Sequence, residues 1–256
     1  MLTNPLFPER LKGGTPLFTA WCGLPDPSIA ATLAREGFDA VTLDTQHGSI
    51  DFAATLQAIP LIAAAGKPAL VRIPVGEFAT ASRYLDAGAS GIIAPMINTV
   101  EDARRLAAFT KFPPVGERSW GAYGALALSR LEPGDYLRTA NNLAASFAMV
   151  ETREALAIID DILAVPGIDG VFIGPSDLSI ALSGGKGVDP TSAEVDKALD
   201  HALARVKAAG KIAAIYAVSG PRAAELAAKG FHLVAIGSDM SMLRAGAHAA
   251  LAAARA

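Results

Sequence analysis

A single cysteine, Cys22, stands in the 256 residues. No internal disulfide can form, and a reducing, cytoplasmic setting is expected; the lone thiol reads first as a small buried hydrophobe rather than a nucleophile. Charge is also scarce: Lys and Arg number 22 against 25 Asp and Glu, for a formal net charge of -3. Without a basic cluster there is no electrostatic footprint for nucleic acid or an anionic membrane, which leaves a small molecule as the expected partner. Long apolar runs are missing as well. Hydrophobic residues reach 52%, yet Ala, Leu, Val and Ile come in short runs broken by Gly, Pro or charge, and none approaches the roughly 18 residues of a membrane helix. Residues 1–8 lack the basic start and apolar centre of a signal peptide. With charged residues at 18% and mean hydropathy at +0.36, much surface is expected to be covered by other subunits, so a homo-oligomer is predicted.

What the chain does have is a recurrent unit. A helical stretch ends at Gly and an apolar strand follows within a few residues, at 37–41, 88–93, 167–173 and 230–236, with Gly-Lys variants at 66–71 and 210–215. Adding 17–21 and 146–150 gives eight strands, each followed by a plausible helix. Near-continuous apolar strands alternating with helices spell a parallel sheet covered by helices. Eight such units predict a closed (β/α)8 TIM barrel, one domain over residues 1–256. An open doubly wound sheet is the runner-up, but its phosphate fingerprint is missing after the first strand, where the chain reads Trp21-Cys22-Gly23-Leu24-Pro25. The connection over 111–124, long and rich in Gly and aromatics, is expected to serve function. From Ser241 the chain is Ala-rich, with Leu243, Ala247 and Leu251 on one face of a helix expected to pack on the barrel or on a neighbour.

Residues just after each barrel strand converge at one face. In order that set is Trp21; Asp44-Thr45-Gln46-His47-Gly48; Arg72; residues 95–98; Glu151; Gly174-Pro175-Ser176-Asp177; residues 216–218; and Gly237-Ser238-Asp239. Glu151 and Asp177, after adjacent strands, bring two hard oxygen ligands together with room for water and substrate, a donor set suited to Mg²⁺ more than to zinc. Taken singly, each acid also reads as a helix cap or first-turn charge. The Asp44/His47 spacing lets a carboxylate orient an imidazole as general acid/base. His201 and His248 fall in helical patterns, and His232 lies at the far end of its strand. Arg72 aims a permanent cation into the same pocket or pairs with Glu151 or Asp44, and the two roles are compatible. The turn at Gly174 and Ser176 opens a helix and can direct N–H groups at a carboxylate. A metal, a cation and N–H donors around one spot describe a site for an enolate-forming oxo acid. Lysines fall on the far face, in helices or in turns, apart from Lys186 in a loop, which argues against Schiff-base chemistry. A phosphate-binding barrel using Gly237-Ser238 is the competing enzyme reading. A barrel that only binds oxo acids is the non-enzyme one, and it leaves the convergent charges unexplained.

Asp44-Thr45-Gln46-His47-Gly48, Val71-Arg72, Tyr84-Leu85-Asp86-Ala87-Gly88, Ile93-Ala94-Pro95-Met96, Pro113-Pro114-Val115-Gly116-Glu117-Arg118, Val150-Glu151-Thr152-Arg153-Glu154 and Gly170-Val171-Phe172-Ile173-Gly174-Pro175-Ser176-Asp177 together resemble the HpcH/HpaI family of class II pyruvate aldolases. Within it, the motifs are similar to those of 4-hydroxy-2-oxoheptanedioate and 2-dehydro-3-deoxyglucarate aldolases. The resemblance spans nearly the whole chain and implies a metal-dependent lyase that reversibly cleaves a 4-hydroxy-2-oxo acid into pyruvate, or a similar 2-oxo acid, and an aldehyde. It implies a divalent metal at Glu151 and Asp177, Mg²⁺ or Mn²⁺ first with Co²⁺ and Zn²⁺ as further candidates, chelated by pyruvate or its enolate. Arg72 then stabilises the enolate, N–H groups near Gly174 and Ser176 hold the carboxylate, and His47, oriented by Asp44, handles the hydroxyl proton. Trimers or hexamers with the last helix on a neighbour are also implied, with Asp86 reaching a neighbouring site and Arg118 contacting substrate. Two departures stand out: Thr45-Gln46 replaces a frequent Gly-Glu, removing a charge, and Ser119-Trp120-Gly121 is bulkier than usual. Trp21, Trp120, Tyr216 and Val218 are the candidates for the aldehyde pocket.

Overall fold

The structure, a computed structural model, describes residues 6–256; residues 1–5, most of the stretch read for a signal peptide, lie outside the described residues. Eight parallel strands close into a barrel in sequence order, with β8 pairing back onto β1. They are β1 (Leu17–Cys22), β2 (Ala40–Asp44), β3 (Ala69–Arg72), β4 (Gly91–Ala94), β5 (Ala145–Val150), β6 (Gly170–Ile173), β7 (Ile212–Ala217) and β8 (Leu233–Ile236). This is the expected (β/α)8 barrel. Strand side chains alternate between two faces, and here both faces are apolar. Trp21, Leu70, Ile93, Phe147, Met149 and Phe172 fill the interior, while Val41, Leu43, Val71, Ile92, Val171 and Ile215 meet the surrounding helices. The Thr19 and Thr42 hydroxyls, both buried, satisfy each other at 2.9 Å.

The helical layer starts with α1 (Phe7–Leu11), whose Phe7 and Leu11 join the interior cluster. It continues through α2 (Pro27–Leu33), α3 (Phe52–Ala64), α4 (Phe78–Asp86), α5 (Val100–Thr110), α6 (Tyr123–Ser129) and α7 (Pro133–Leu143). The second half adds α8 (Arg153–Ala157), α9 (Ile159–Ala164), α10 (Pro175–Ser183), α11 (Ala193–Ala208), α12 (Gly220–Lys229) and α13 (Asp239–Arg255). Side-chain caps start many of them, as at Asp51 for α3 and Ser192 for α11. No helix among the described residues is long and apolar enough to cross a membrane.

The long connection between α5 and β5 contains α6 and α7 and runs along the base of the barrel, the N-terminal end of its strands. Lys111 anchors it there, donating from Nζ to the Ala144 carbonyl just before β5 and to Asp169 Oδ2 just before β6, at 2.9 and 2.7 Å. At the other extremity of the chain, α13 leaves the barrel after its first turn. Only Asp239 of this helix is buried, and Leu243 and Leu251 are 61% and 47% exposed. Of the two berths expected for this helix, the barrel of its own chain is not one.

Candidate active site

A cavity of about 410 Å³ opens at the C-terminal ends of the strands. Its walls come from Trp21, Gly23 and Leu24 after β1, Asp44 and residues 47–49 after β2, Arg72 of β3, Met149 of β5, Phe172, Gly174, Ser176 and Asp177 around β6, Tyr216 of β7 and residues 238–240 after β8. Seven strand ends therefore supply its lining, and β4 reaches it indirectly through Met96.

Asp44 and Arg72 are register partners on β2 and β3. Arg72 donates from Nε to Asp44 Oδ1 at 2.9 Å and from Nη2 to Oδ2 at 2.6 Å. Trp21 Nε1 donates to the same Oδ2 at 3.1 Å, and its ring lies under the Arg72 guanidinium, 4.9 Å from centroid to Cζ. Burial works to raise the Asp44 pKa, but the Arg72 charge and hydrogen bonds, joined by the N–H groups of His47 and Trp21, outweigh it and hold the carboxyl below the usual range. The pair thus keeps a rigid, fully charged guanidinium at the cavity wall.

Glu151, 1% exposed, lies just behind the wall. Its Oε1 accepts the Met96 N–H at 2.8 Å, and Met96 adopts a left-handed backbone, φ 54, to present it. Oε2 is buried without any hydrogen-bond partner. Gly174 leaves room for that oxygen, since a Cβ there would collide with Oε2. Burial is the main cause that pushes Glu151 up to about 7, and the negative charge of Asp177 adds to it against the pull of the Met96 N–H and Arg72. An orphaned carboxylate oxygen next to a second acid is stabilised by a cation. Among the described residues no group of three or more His, Cys, Asp or Glu side chains converges as a metal cage. The donor set therefore fits a hard divalent ion that keeps water or substrate oxygens on its remaining positions.

His47 lies at the exposed rim of the cavity. The expected orientation of its imidazole by Asp44 is corrected here. Asp44 Oδ1 accepts the backbone N–H of His47 at 3.2 Å, while both carboxylate oxygens are committed to Arg72. The cause is register, which sets Arg72 directly beside Asp44. Across the cavity α10 begins at Gly174, with Pro175 at its first position. The next first-turn N–H groups, those of Ser176 and Asp177, have no intrahelical acceptor by helix geometry, and both residues line the cavity. These are anion-binding groups.

The HpcH/HpaI aldolase/citrate lyase family model matches residues 17–245. The chain belongs to this family. A hydroxypyruvate/pyruvate aldolase of Rhizorhabdus wittichii is 42% identical to it over 243 residues, covering 95% of this chain and 96% of that one. A 4-hydroxy-2-oxo-heptane-1,7-dioate aldolase of Salmonella paratyphi C is 35% identical over 243 residues, covering 95% and 92%. The crystal structure of an HpcH/HpaI aldolase/citrate lyase family protein from Burkholderia cenocepacia superposes with a TM-score of 0.86 at 33% identity, covering 97% of this chain and 98% of the other. Membership in the family makes the chain a lyase.

Other expected residues of this family member lie apart from the cavity. Asp86, at the end of α4, pairs with Arg118 at 2.6 Å, and the Arg118 N–H donates to the Lys111 carbonyl at the base of the barrel. Within this chain neither reaches the cavity, because a helix-to-strand connection runs at the opposite end from the strand termini. Trp120 packs on Phe112 and Tyr136 in the same region. Val218 lies outside the cavity, half-exposed beside Pro175 and Arg222. Ser238 is taken up in the capping box of α13, its N–H donating to Ser241 Oγ at 2.9 Å and its hydroxyl accepting from the Ser241 N–H. The Gly237 N–H is engaged as well, donating to the Ala217 carbonyl at 2.9 Å, so the phosphate alternative loses both of its backbone donors there. Cys22 is buried against the helices, and burial pushes its thiol up, so it stays protonated. No side-chain pattern signals the Met96 N–H, and Asp239 belongs to the expected strand-end set only by its place after β8, with no role attached to its carboxylate.

Proposed function

We propose that the protein is a divalent-metal-dependent aldolase, acting through one barrel domain over residues 1–256. It reversibly cleaves 4-hydroxy-2-oxo acids into pyruvate, or a close 2-oxo acid such as hydroxypyruvate, and an aldehyde. The observation that carries this reading is the nearness of two unlike groups, the Arg72 guanidinium locked on Asp44 at the cavity wall and, just behind that wall, the buried, unpartnered Oε2 of Glu151. The names of the relatives from Rhizorhabdus wittichii and Salmonella paratyphi C support the same substrate class.

Glu151 and Asp177 would hold the ion, Mg²⁺ or Mn²⁺ by their oxygen-only chemistry. When bound, it supplies Lewis-acid polarisation of the 2-oxo group. The substrate carboxylate binds the first-turn N–H groups of α10 at Ser176 and Asp177, next to Gly174. His47 takes the proton of the 4-hydroxyl, the C3–C4 bond breaks, and its electron pair passes to the 2-oxo oxygen as the aldehyde leaves. Arg72 stabilises the negative charge of the resulting enolate, which gains a proton at C3 to give pyruvate. Trp21 and Tyr216, stacked edge to face with centroids 5.4 Å apart, form the wall against which the aldehyde lies.

A cytoplasmic trimer or hexamer belongs to the same reading, with the apolar face of α13 on a neighbour and Asp86, held by the buried Arg118, serving a neighbouring cavity. The exposure of Leu243 and Leu251 supports it, and a monomer by light scattering would count against it. The deciding experiment is release of pyruvate from a 4-hydroxy-2-oxo acid by protein held in chelator, before and after adding Mg²⁺ or Mn²⁺. Activity is expected only after the metal is returned. Full activity in chelator ends the metal assignment, and no pyruvate under any condition ends the aldolase reading.

A further inference from the structure

Asp239 is the one buried residue of α13. Its Oδ2 accepts the N–H groups of Gly23 and Leu24, at 2.9 and 2.8 Å, from the turn that follows β1. Capping of α13 does not account for this burial, because Ser238 already supplies the cap. A carboxylate 4% exposed has instead been withdrawn from water to hold a turn that lies 216 positions earlier in the chain.

That turn continues into the backbone that carries His47. The Gly23 carbonyl accepts the N–H groups of Ser49 at 2.7 Å and Ile50 at 3.1 Å. Gly23 and Gly48 lie against each other so closely that a Cβ on Gly48 would stand 2.7 Å from Gly23 Cα. The His47 backbone is held on its other side by Asp44. Its position is therefore set by two backbone anchors, one of which leads through Gly23 to Asp239.

We propose that Asp239 is a positioning residue for His47: it fixes the turn at Gly23 and Leu24, and that turn fixes residues 48–50, from whose edge the imidazole reaches the cavity. The assignment rests on the aldolase reading in so far as it gives His47 the proton of the 4-hydroxyl. It also gives α13 a task inside its own chain, independent of any neighbour.

The test uses full-length Asp239→Asn and Asp239→Ala with Mg²⁺ and three readouts: pyruvate release from a 4-hydroxy-2-oxo acid, deuterium uptake into pyruvate, and amide hydrogen exchange over residues 22–50. Cleavage should lose about 100-fold in kcat, as expected when a reacting group shifts by an ångström, while deuterium uptake stays within about threefold. Asp239→Asn placed on His47→Ala should cost no further cleavage. Amide exchange should quicken at 23–24 and also at 48–50, with β5 and β6 unchanged. Equal loss of cleavage and uptake in the folded variants overturns the proposal, as does faster amide exchange confined to 23–24. If Asp239→Ala does not fold, Asp239→Asn, which keeps the size and one acceptor, carries the test. A wild type that neither cleaves nor exchanges condemns the aldolase reading instead, and the amide pattern still decides whether Asp239 holds residues 48–50.

Discussion

Asp44 and Arg72 end neighbouring strands in paired register and are joined through both carboxylate oxygens, at 2.9 and 2.6 Å. A lysine at position 72 carries one point charge and cannot span both oxygens. Arg72→Lys is therefore expected to fold and yet to slow deuterium uptake into pyruvate by about 100- to 1,000-fold, the size of effect seen when one donor to a developing oxyanion is lost. Asp44→Asn leaves the guanidinium buried without its counter-charge and should cost about 3–5 kcal/mol in urea unfolding. Wild-type uptake in Arg72→Lys would remove Arg72 from the enolate step.

Gly174 offers a substitution that acts first on one atom, Glu151 Oε2, with Met149 Cε as the next neighbour at 3.1 Å. Its φ of -98 is open to any residue, so the added methyl of Gly174→Ala strains no backbone and meets Glu151 Oε2. The variant should keep its thermal midpoint near that of the wild type while affinity for Mn²⁺, read by calorimetric titration, falls about 10- to 100-fold. Unchanged affinity would exclude Glu151 as a ligand.

The eight strands were legible because glycine-ended helices followed by apolar runs repeat along the chain, and the cavity was legible because strand ends in a barrel converge. Pairings between strands were not. Spacing alone matched Asp44 with His47, three residues away, whereas the β2/β3 register delivers Asp44 to Arg72. The connection over 111–124 looked like part of the site because it is long and aromatic. Its place between a helix and a strand already assigns it to the base of the barrel, where Lys111 anchors it. The role of Asp239 was not legible for a different reason: its partners are backbone N–H groups at Gly23 and Leu24, and no residue type announces them. The exposed face of α13 has no explanation within one chain.

Glu151 should make the metal-free protein less stable as pH rises. Its folded pKa is about 7 against an ordinary 4.5, so the folded state holds the proton more tightly than the unfolded chain does. The group's stabilising contribution is whole below about pH 4.5 and is lost as pH rises through 7. Glu151→Gln stays neutral throughout. In chelator, the unfolding free energy of the variant relative to the wild type should accordingly grow by about 2–3 kcal/mol between pH 5 and pH 8. Mg²⁺ should raise the wild-type midpoint more at pH 8 than at pH 5.5 and leave the variant nearly unmoved. A difference that is flat with pH would mean that Glu151 is already ionised in the folded protein at pH 5.

A second buried cation tests whether ion pairs at the two ends of the barrel do different work. Lys111 is 2% exposed, and its Nζ reaches the carbonyls of Asn141 and Ala144 and Asp169 Oδ2. Asp169 Oδ2 also accepts the Ser146 N–H at 2.8 Å, tying the start of β5 to the start of β6. Lys111→Met fills similar space but takes the ammonium donor from two carbonyls and leaves the half-buried carboxylate, still bonded to the Ser146 N–H, without its counter-charge, at a cost of about 3 kcal/mol. Chemistry is at the other end of the strands, so kcat measured on folded protein at 25 °C should stay within about twofold of wild type. Arg72→Lys, by contrast, should lose turnover with little change in stability. Loss of kcat in Lys111→Met without loss of stability would show that Lys111 shares in catalysis, and the division of labour between the Lys111 and Arg72 ion pairs would not hold.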